Sequence, residues 1–235
     1  MSNQKKILIF TATYNESENI EELIRMIKIQ DSCPDLLIID DNSPDKTADK
    51  ITGLKKIYQK LFLIKRSGKL GLDSAHKEGY EFALKNNYDF FISMDADFSH
   101  DPKEIKNFIK HLNNFPFVIG SRYIAGGKNL MKKKRFLISK YGNLLIEFFL
   151  KIGCTEYTTS YRGFNLNKLV NFHLNSVEAK GYSFFMGTIF EIYKKNFEIK
   201  EIPIIFKDRS KGYSKIPKLE IFRTLKNLMV LFLKK

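Results

Sequence analysis

The 235-residue chain is predicted to adopt an α/β fold built on a mostly parallel sheet. Short apolar runs alternate with amphipathic segments through the first half of the chain, the pattern of strands connected by helices. Hydrophobic residues make up 43% of the chain, enough to bury a sizeable core. Polar clusters follow three of the apolar runs, where a parallel sheet collects its ligands. We therefore expect one main α/β domain.

The elements of the first half follow from the spacing of the apolar residues. The predicted strands are Lys6–Phe10, Asp35–Ile39, Leu61–Lys65, Phe90–Met94 and Phe117–Gly120. The predicted helices between them are Ser17–Ile29, Thr47–Tyr58, Ser74–Asn86 and Pro102–Leu112. The first helix is typical, because its apolar side chains recur on one face at Ile20, Leu23, Ile24 and Ile27.

The pattern changes after residue 120. The basic run Lys132-Lys133-Lys134-Arg135 opens a predicted helix over Phe136–Ile152, and Pro203–Phe206 is a predicted last strand. The tail, Ile216–Lys235, places apolar residues at helical spacing between basic ones, which predicts a basic amphipathic helix. The chain is thus predicted to consist of a main domain over residues 1–215 and a C-terminal helix over residues 216–235. This helix either packs onto the domain or lies on a membrane surface.

Positive charge is concentrated in the second half of the chain. Residues 1–120 hold 17 Lys and Arg against 18 Asp and Glu, whereas residues 121–235 hold 23 against 8. A strongly basic half favours an anionic partner, such as nucleic acid, phospholipid headgroups or a phosphorylated substrate. A lysine-rich solvated surface is the alternative. Nucleic acid is disfavoured because aromatic residues are not interleaved with the basic runs.

The number of cysteines and the lengths of the apolar segments indicate the cellular compartment in which the protein is expected to fold. Cys33 and Cys154 lack the spacing of a metal site, and two free thiols suggest a reducing compartment. The N-terminal residues run straight into a predicted strand, so we expect no signal peptide. No apolar stretch reaches the length of a membrane span. His76 and His100 are more typical of partly buried, hydrogen-bonded histidines than of catalytic ones.

Asp95-Ala96-Asp97 is the most informative motif of the chain. It follows the apolar run Phe90–Met94, and Pro102 with Glu104 suits the first turn of the next helix. Two carboxylates at i and i+2 beyond a strand can bind one hard divalent cation. Such a cation would hold a diphosphate and neutralise the charge of a leaving group. Acidic residues that merely begin a helix are the alternative.

Two other polar clusters follow strands in the same way. Thr13–Glu16 and Asp40–Asp45 are expected to lie beside Asp95–Ser99, because the carboxyl ends of parallel strands share one edge of a sheet. The chain contains neither Gly-x-Gly-x-x-Gly nor a Walker-type Gly-x-x-x-x-Gly-Lys. A nucleotide at this edge would therefore be held through a metal ion and side chains.

Six short motifs stand in order along nearly the whole chain, over about residues 6–220. They are Ala12-Thr13-Tyr14-Asn15-Glu16, Asp40-Asp41-Asn42-Ser43-Pro44-Asp45-Lys46-Thr47, Gly68-Lys69-Leu70-Gly71-Leu72, Asp95-Ala96-Asp97-Phe98-Ser99-His100-Asp101-Pro102, Gly120-Ser121-Arg122-Tyr123 and Asp208-Arg209 with Gly212-Tyr213-Ser214-Lys215. The set resembles the inverting family 2 glycosyltransferases, and within them the dolichyl-phosphate mannosyltransferase group. The resemblance implies a GT-A fold, a nucleotide-binding sheet with helices on both faces.

The resemblance also implies roles for individual residues. The base and ribose pocket would be lined by Ala12, Tyr14, Glu16, Ile39 and Asp41. The donor diphosphate and a Mg²⁺ or Mn²⁺ ion would lie at Asp95, Ala96 and the catalytic Asp97, with Ser99 completing the metal site. The donor phosphates would be reached by Arg209 and Lys215. The acceptor phosphate would be held by Arg122, Arg135 and Ser139.

Four parts of the chain depart from the family pattern. Ala12 replaces the usual Pro, and Asp73-Ser74-Ala75-His76 stands where a Gly-Thr-Ala-Tyr-like stretch is usual. Two longer segments lack expected residues. Tyr157–Arg162 lacks the Asp and Gly of Asp-x-Thr-Gly-Ser-Phe-Arg, and Gly181–Gly187 lacks the usual Gln and Glu. Both lie where the specificity for sugar or acceptor is expected to be set.

The chemistry of the acceptor supports a phosphate. Transfer to a sugar hydroxyl needs a general base, and family members of that kind carry a Gln-x-x-Arg-Trp signature, which a chain without Trp cannot contain. A phosphate monoester is already ionised and needs positive charge to hold it in line. Arg122 and the Lys132–Arg135 run can supply that charge, since the arginine fork suits phosphate.

We therefore expect a metal-dependent, inverting transfer of a hexose from a nucleotide-sugar to polyprenyl or dolichyl phosphate, with mannose and GDP-mannose favoured. The alternatives are transfer to a saccharide hydroxyl in cell-surface glycan synthesis, a basic nucleic-acid-binding module and a catalytically silent sugar-nucleotide binder. The expected partners are the donor, the lipid acceptor and a membrane surface, without nucleic acid. The protein is expected to be cytoplasmic and peripheral to the cytoplasmic face of a membrane, held by its tail helix or by a membrane-anchoring partner.

Overall fold

A computed structural model describes residues 5–208 and 220–235, which form an α/β fold around a seven-stranded sheet. In chain order the strands are β1 (Ile7–Thr13), β2 (Asp35–Asp40), β3 (Leu61–Lys65), β4 (Phe90–Ser93), β5 (Phe117–Ser121), β6 (Lys128–Asn129), β7 (Arg162–Asn165), β8 (Ile199–Pro203) and β9 (Ile205–Phe206). The α-helices are α1 (Ile20–Lys28), α2 (Thr47–Leu54), α3 (Leu72–Lys85), α4 (Ile105–Leu112), α5 (Lys133–Leu150), α6 (Ser183–Lys194) and α7 (Glu220–Leu233). β6 and β9 pair with each other outside the main sheet.

The main sheet has the strand order β3-β2-β1-β4-β7-β5-β8. Its neighbouring strands are parallel except around β7, which runs antiparallel to both β4 and β5. The prediction of a mostly parallel sheet is therefore confirmed. The order places β1, β2 and β4 side by side, so that the ends of these three strands meet at one edge.

Helices cover both faces of the sheet, because alternate strand residues point to opposite sides. In β1, Leu8 and Phe10 belong to a core that α3, α5, α6 and α7 complete. Ile7 and Ile9 point the other way, into a core shared with α1, α2 and α4. This double burial explains why the strands read as continuous apolar runs in the sequence.

The second half of the chain differs from the prediction in several places. β6 and β7 were not predicted, the apolar helix around Glu191 was given no bounds and is α6, and α5 begins at Lys133 rather than at Phe136. The predicted last strand, Pro203–Phe206, covers only the final residue of β8, which joins the main sheet, together with β9, which pairs with β6.

The tail helix packs against the main domain through one face. Leu228 and Leu231 of α7 are buried in the core that α5 and α6 share, and Asn227 Nδ2 donates a 2.5 Å hydrogen bond to Ser183 Oγ at the start of α6. The predicted helix is thus present from Glu220 onwards, while residues 216–219 lie outside the described part. Among the helices described, none combines the length and apolarity needed to cross a bilayer.

Candidate active site

The three polar clusters after β1, β2 and β4 lie along one edge of the sheet, as the sequence predicts. Asp40, at the end of β2, accepts hydrogen bonds from Thr13 Oγ1 at 2.9 Å and from the Ser43 backbone N–H at 2.9 Å. The Asn15 backbone N–H in turn donates to Ser43 Oγ at 2.9 Å. The loops after β1 and β2 are therefore held together by a buried carboxylate.

Asp41 is held by an arginine that the sequence did not single out. The Arg66 guanidinium pairs with the Asp41 carboxylate and also donates to Ser74 Oγ at 2.6 Å and to the Gly71 carbonyl at 2.9 Å. Burial raises the pKa of Asp41, and Arg66 opposes that rise by stabilising the charged form. Arg66 thus ties the loop after β3 to the predicted ribose side of the site.

The other residues predicted for the base and ribose pocket occupy different depths. Tyr14 and Glu16 are half-buried in the loop after β1, and the Lys69 ammonium lies 4.6 Å from the centre of the Tyr14 ring. Ala12 is half-buried in β1 and pairs in register with Ile39 of β2. The Ile39 side chain is fully buried in the core, so the structure does not bring it to the surface of this edge.

Asp97 is buried and oriented by its own loop. Its Oδ1 accepts hydrogen bonds from Ser99 Oγ at 2.6 Å and from the Ser99 backbone N–H at 3.1 Å. The intervening Phe98 has a left-handed backbone with φ of 61°, which turns the chain sharply enough for Ser99 to reach back. Ala96 is buried between the two carboxylates.

Asp95 is the more accessible carboxylate of the pair. Its side chain is 39% exposed, and Oδ1 accepts a 2.5 Å hydrogen bond from Ser160 Oγ. No three His, Cys, Asp or Glu side chains converge into a metal cage within residues 5–208 and 220–235. Two carboxylates and a hydroxyl nevertheless fit Mg²⁺ or Mn²⁺, because such ions are commonly held by one or two carboxylates together with substrate phosphates and water.

His100 is a structural support for this loop. The Asp95 backbone N–H donates to His100 Nδ1 at 3.0 Å, so that nitrogen must be unprotonated, and Nε2 lies 3.2 Å from Thr159 Oγ1. Burial lowers the pKa of His100, which favours the neutral ring. The expected hydrogen bonding of His100 is confirmed, and the ring is fully rather than partly buried.

Arg122 lies just after β5 and is paired with a buried carboxylate. Glu156 accepts hydrogen bonds from Arg122 Nε at 2.7 Å and Nη2 at 3.1 Å, and Thr158 Oγ1 accepts another from Nη2 at 2.9 Å. Burial disfavours the charged guanidinium, but Glu156 outweighs this and raises the pKa of Arg122. Arg122 is thus rigidly placed, and its charge is largely compensated within the protein.

The family motif Asp-x-Thr-Gly-Ser-Phe-Arg has seven positions. When its Ser and Arg are aligned with Ser160 and Arg162, its Asp is aligned with Glu156. A carboxylate is therefore present at that position. It lies one residue before the segment Tyr157–Arg162, which itself contains no acidic residue. The only sequence signal for Glu156 is this match, because its partner Arg122 is 34 residues away in the chain.

The loop that carries these contacts is held by Arg162 of β7. The completely buried guanidinium donates to the carbonyl oxygens of Thr159 at 2.8 Å, Tyr157 at 3.1 Å and Phe185 at 2.6 Å. Burial lowers the pKa of Arg162 to about 9, so the side chain remains protonated at neutral pH. Arg162 therefore fixes the loop whose side chains reach Asp95, His100 and Arg122.

A cavity of about 430 Å³ lies between the loop after β5 and helix α5. It is lined by Arg122, Tyr123, Gly127, Asn129, Phe136, Lys140, Asn143, Leu144, Glu147, Cys154 and Thr155. Tyr123 donates a 2.7 Å hydrogen bond to Ser139 Oγ at the rim of this region. Burial raises the pKa of Cys154 to about 12, so this thiol is protonated and not a nucleophile at neutral pH.

The remaining predicted phosphate ligands lie on the basic side of the molecule. Arg135, in the first turn of α5, donates to Asp208 Oδ1 at 3.0 Å. Asp208 also accepts from the Lys132 backbone N–H at 3.2 Å, which ties the start of α5 to the end of the described main segment. Arg209 and Lys215 lie outside the described residues.

The mostly parallel sheet with a carboxylate pair after β4 has the architecture expected of a GT-A-type transferase. The sequence matches the family described as "Glycosyl transferase family 2" over residues 8–172. The chain belongs to this family and is a glycosyltransferase.

Two curated relatives cover most of the chain. One is a polyprenol monophosphomannose synthase from Mycolicibacterium smegmatis, 31% identical over 219 residues that cover 90% of this chain and 81% of the relative. The other is an undecaprenyl-phosphate mannosyltransferase from Micrococcus luteus, 32% identical over 214 residues that cover 90% of this chain and 87% of the relative. The resemblance to polyprenyl-phosphate mannosyltransferases is therefore confirmed.

The fold is also that of a solved glycosyltransferase. Glucosyl-3-phosphoglycerate synthase from Mycobacterium tuberculosis, in complex with Mn²⁺, UDP and glucosyl-3-phosphoglycerate, is similar with a TM-score of 0.68 at 15% identity. The similarity covers 98% of this chain and 79% of that one. The predicted GT-A fold is confirmed.

Proposed function

We propose that the protein transfers a hexose from a nucleotide-sugar to a polyprenyl or dolichyl phosphate, with mannose as the favoured sugar and GDP-mannose as the favoured donor. The observation that carries the proposal is that Asp95, which follows β4, lies close enough to Arg122 to raise its pKa electrostatically, while Arg122 lines a cavity that Lys140 also lines. Such an arrangement suits a donor diphosphate on one side and an anionic acceptor on the other. The names of the two curated relatives support the same acceptor class and the same sugar.

The reaction follows from the ionised acceptor. An oxygen of the acceptor phosphate attacks C1 of the sugar, the bond from C1 to the donor diphosphate breaks, and the electron pair leaves with the nucleoside diphosphate. Attack opposite the leaving group inverts the configuration at C1. No proton has to be removed from the nucleophile, so the protein's task is to position two anions in line.

Asp95 and Asp97 would hold a Mg²⁺ or Mn²⁺ ion with Ser99. When bound, such an ion neutralises the charge that develops on the departing diphosphate. Ser99 holds Asp97 in place through its hydroxyl and backbone N–H. The resemblance adds Arg209 and Lys215 as ligands of the donor phosphates.

Arg122, Arg135 and Ser139 would hold the acceptor phosphate. Glu156 restricts Arg122 to one orientation, and Tyr123 bonds to Ser139 at the cavity rim. Because the acceptor is a lipid, the protein would act at the cytoplasmic face of a membrane, either directly or through an anchoring partner.

The test is a donor screen. The protein is incubated with polyprenyl phosphate, Mn²⁺ or Mg²⁺ and a panel of nucleotide-sugars, and lipid-linked sugar is measured by mass spectrometry. We expect product from GDP-mannose. No lipid-linked sugar from any donor would contradict the proposal, and a product on a saccharide hydroxyl would favour the alternative acceptor.

Removing the buried carboxylate tests the donor side. Asp97→Ala should lower kcat by roughly a thousandfold, since a group that stabilises transition-state charge commonly contributes about 10²–10³ in rate. Asp101→Ala is the matched control, because Asp101 only caps the short helical turn at Pro102–Glu104 through the Lys103 N–H. Wild-type turnover by Asp97→Ala would refute its role.

A further inference from the structure

Glu201 of β8 holds the loop that follows α5 through three hydrogen bonds. Its Oε2 accepts from the Thr155 backbone N–H at 3.0 Å, and its Oε1 accepts from Thr155 Oγ1 at 2.8 Å and from the Glu156 backbone N–H at 3.0 Å. All three donors belong to two consecutive residues. One carboxylate therefore fixes both the position and the orientation of residues 155–156.

The two residues held by Glu201 belong to the surroundings of Arg122. Thr155 lines the same cavity as Arg122. Glu156 supplies the carboxylate that accepts from Arg122 Nε at 2.7 Å and from Nη2 at 3.1 Å. Glu201 does not line the cavity itself, so its influence on a bound ligand has to pass through these neighbours.

A second connection reaches Arg122 from its own strand. Ser121, the last residue of β5, has its hydroxyl 2.8 Å from Thr155 Oγ1 and accepts a 3.2 Å hydrogen bond from the Tyr123 backbone N–H. The residues on both sides of Arg122 are thereby joined to the loop that Glu201 holds. Because Arg122 also bonds the carboxylate of that loop, the contacts close into a ring.

Burying Glu201 costs free energy, which its hydrogen bonds offset. Side chains two apart on a strand share a face, so Glu201 points to the same side of the sheet as Ile199, which packs against the core beside α5 and α6. Burial raises the pKa of Glu201, and the hydrogen-bond donors around it oppose that rise. An apolar residue at this position would avoid the cost of burial but would leave the backbone N–H groups of Thr155 and Glu156 without this acceptor.

We propose that Glu201 is a positioning residue for the acceptor side of the reaction, and that it holds Arg122 in the orientation in which the guanidinium meets the acceptor phosphate. This inference rests on the proposed function, because Arg122 is the proposed phosphate ligand. A displacement of about 1 Å caused by a change far from the reacting atoms can cost about a hundredfold in rate. A carboxylate that only stabilised the loop would instead affect all ligands of the protein alike.

The first measurement is the affinity for a short-chain, water-soluble polyprenyl phosphate, by calorimetry. Glu201→Gln keeps the size of the side chain, but removes its charge and turns an amide NH₂ toward one of the donors. The variant should bind this acceptor about tenfold more weakly, because the loop loses a charged hydrogen-bond acceptor. Its affinity for GDP with Mn²⁺ should stay within about twofold of the wild type, because the donor side is not part of the ring.

Two further variants make the result specific. Glu198→Gln changes an exposed glutamate just before β8 and should bind the acceptor as the wild type does. Thr155→Val removes one donor of the same link without changing Glu201, and it should weaken acceptor binding by about threefold. This variant also tests the link should Glu201→Gln prove too unstable to purify.

A double-variant cycle shows whether Glu201 acts through Arg122. Arg122→Lys keeps the charge but loses the planar fork that Glu156 holds. In this background, Glu201→Gln should cause less than about a twofold further loss of acceptor affinity. The same loss as in the wild-type background would overturn the proposal. So would wild-type acceptor affinity in Glu201→Gln, or an equal loss of acceptor and GDP affinity.

Turnover separates this inference from the proposed function. Transfer from GDP-mannose in which Glu201→Gln raises the acceptor KM about tenfold and keeps kcat within about twofold would support both. Acceptor binding that depends on Glu201 and Arg122, without transfer from any donor, would refute the proposed function and leave the positioning role standing. Transfer by the wild type with an unchanged acceptor KM in Glu201→Gln would refute the positioning role alone.

Discussion

The buried carboxylate of Glu156 fixes the position of the Arg122 guanidinium on the basic side of the site. Its carboxylate accepts from the Arg122 guanidinium and from the Thr158 and Thr159 backbone N–H groups, so its charge is satisfied without water. Arg122 is buried with it, and neither charge could remain in that place alone. The pair therefore fixes the geometry of the cavity at the cost of desolvating two charges.

Removing one member of the pair should destabilise the protein strongly. Glu156→Ala should lower the free energy of unfolding by about 3–5 kcal/mol, because it leaves a buried guanidinium without its counter-charge. Arg122→Met with Glu156→Leu should lose clearly less than the sum of the two single changes. Urea unfolding measures all of these. The control is Glu198→Ala at an exposed position, whose free energy of unfolding should stay within about 0.5 kcal/mol of the wild type. If the effects of the two single changes simply add in the double variant, Arg122 and Glu156 are not coupled.

At the scale of elements, α7 has two faces with different tasks. Leu228 and Leu231 bury against the domain, while the side opposite them is apolar and exposed. The two fates predicted for this helix, packing and membrane contact, are therefore compatible in one helix. The packing is observed, and the membrane contact is proposed.

The packing role of α7 can be measured separately. Leu228→Ala should lower the free energy of unfolding by about 2–5 kcal/mol, because it removes a buried side chain and leaves a cavity. Phe222→Ala, at a position 69% exposed on the same helix, should change it by less than about 0.5 kcal/mol. Equal effects of the two changes in urea unfolding would mean that α7 is not docked in solution.

At the scale of the whole molecule, stability should depend on pH through a buried histidine. His76 lies among Phe10, Phe184 and Phe185, and burial, with a smaller contribution from Arg162, lowers its pKa to about 3. The unfolded chain binds the proton near pH 6.5, so stability is fully present above that pH and is lost as the pH falls from about 6.5 toward 3.

The change His76→Phe should remove part of this dependence. The phenyl ring suits the aromatic surroundings, and the slope of the unfolding free energy against pH should fall by up to about 1.4 kcal/mol per pH unit between pH 6 and 4. The solvent-exposed His173→Asn should leave the slope unchanged. Urea unfolding at several pH values measures the difference, and identical slopes for His76→Phe and the wild type would contradict the assignment.

The sequence predicted the part of the sheet from β1 to β4 and the polar clusters at its strand ends well, because that information is local. β1, β2 and β4 are buried on both faces and read as apolar runs, and the clusters after them follow from strand direction alone. β7 escaped prediction because four residues containing Arg162 and Gly163 show no strand pattern. The bounds of α6 were not predicted, because its residues from Ser183 to Phe190 are all buried, which leaves no amphipathic period. Arg66 and Glu156 could not be assigned, since each acts on a partner far away in the chain.

The reversed strand β7 has a consequence for how the chain assembles during synthesis. β3, β2, β1 and β4 can form their sheet as soon as residue 93 is available, because their pairings with one another involve no later strand. Among the described strands, β5 pairs only with β7 and β8, so it waits for the 40 residues between its end at Ser121 and the start of β7 at Arg162. Domains generally form from the N-terminus as they emerge. The half that carries the carboxylate pair is thus completed first, and the half that faces it is built onto a finished edge.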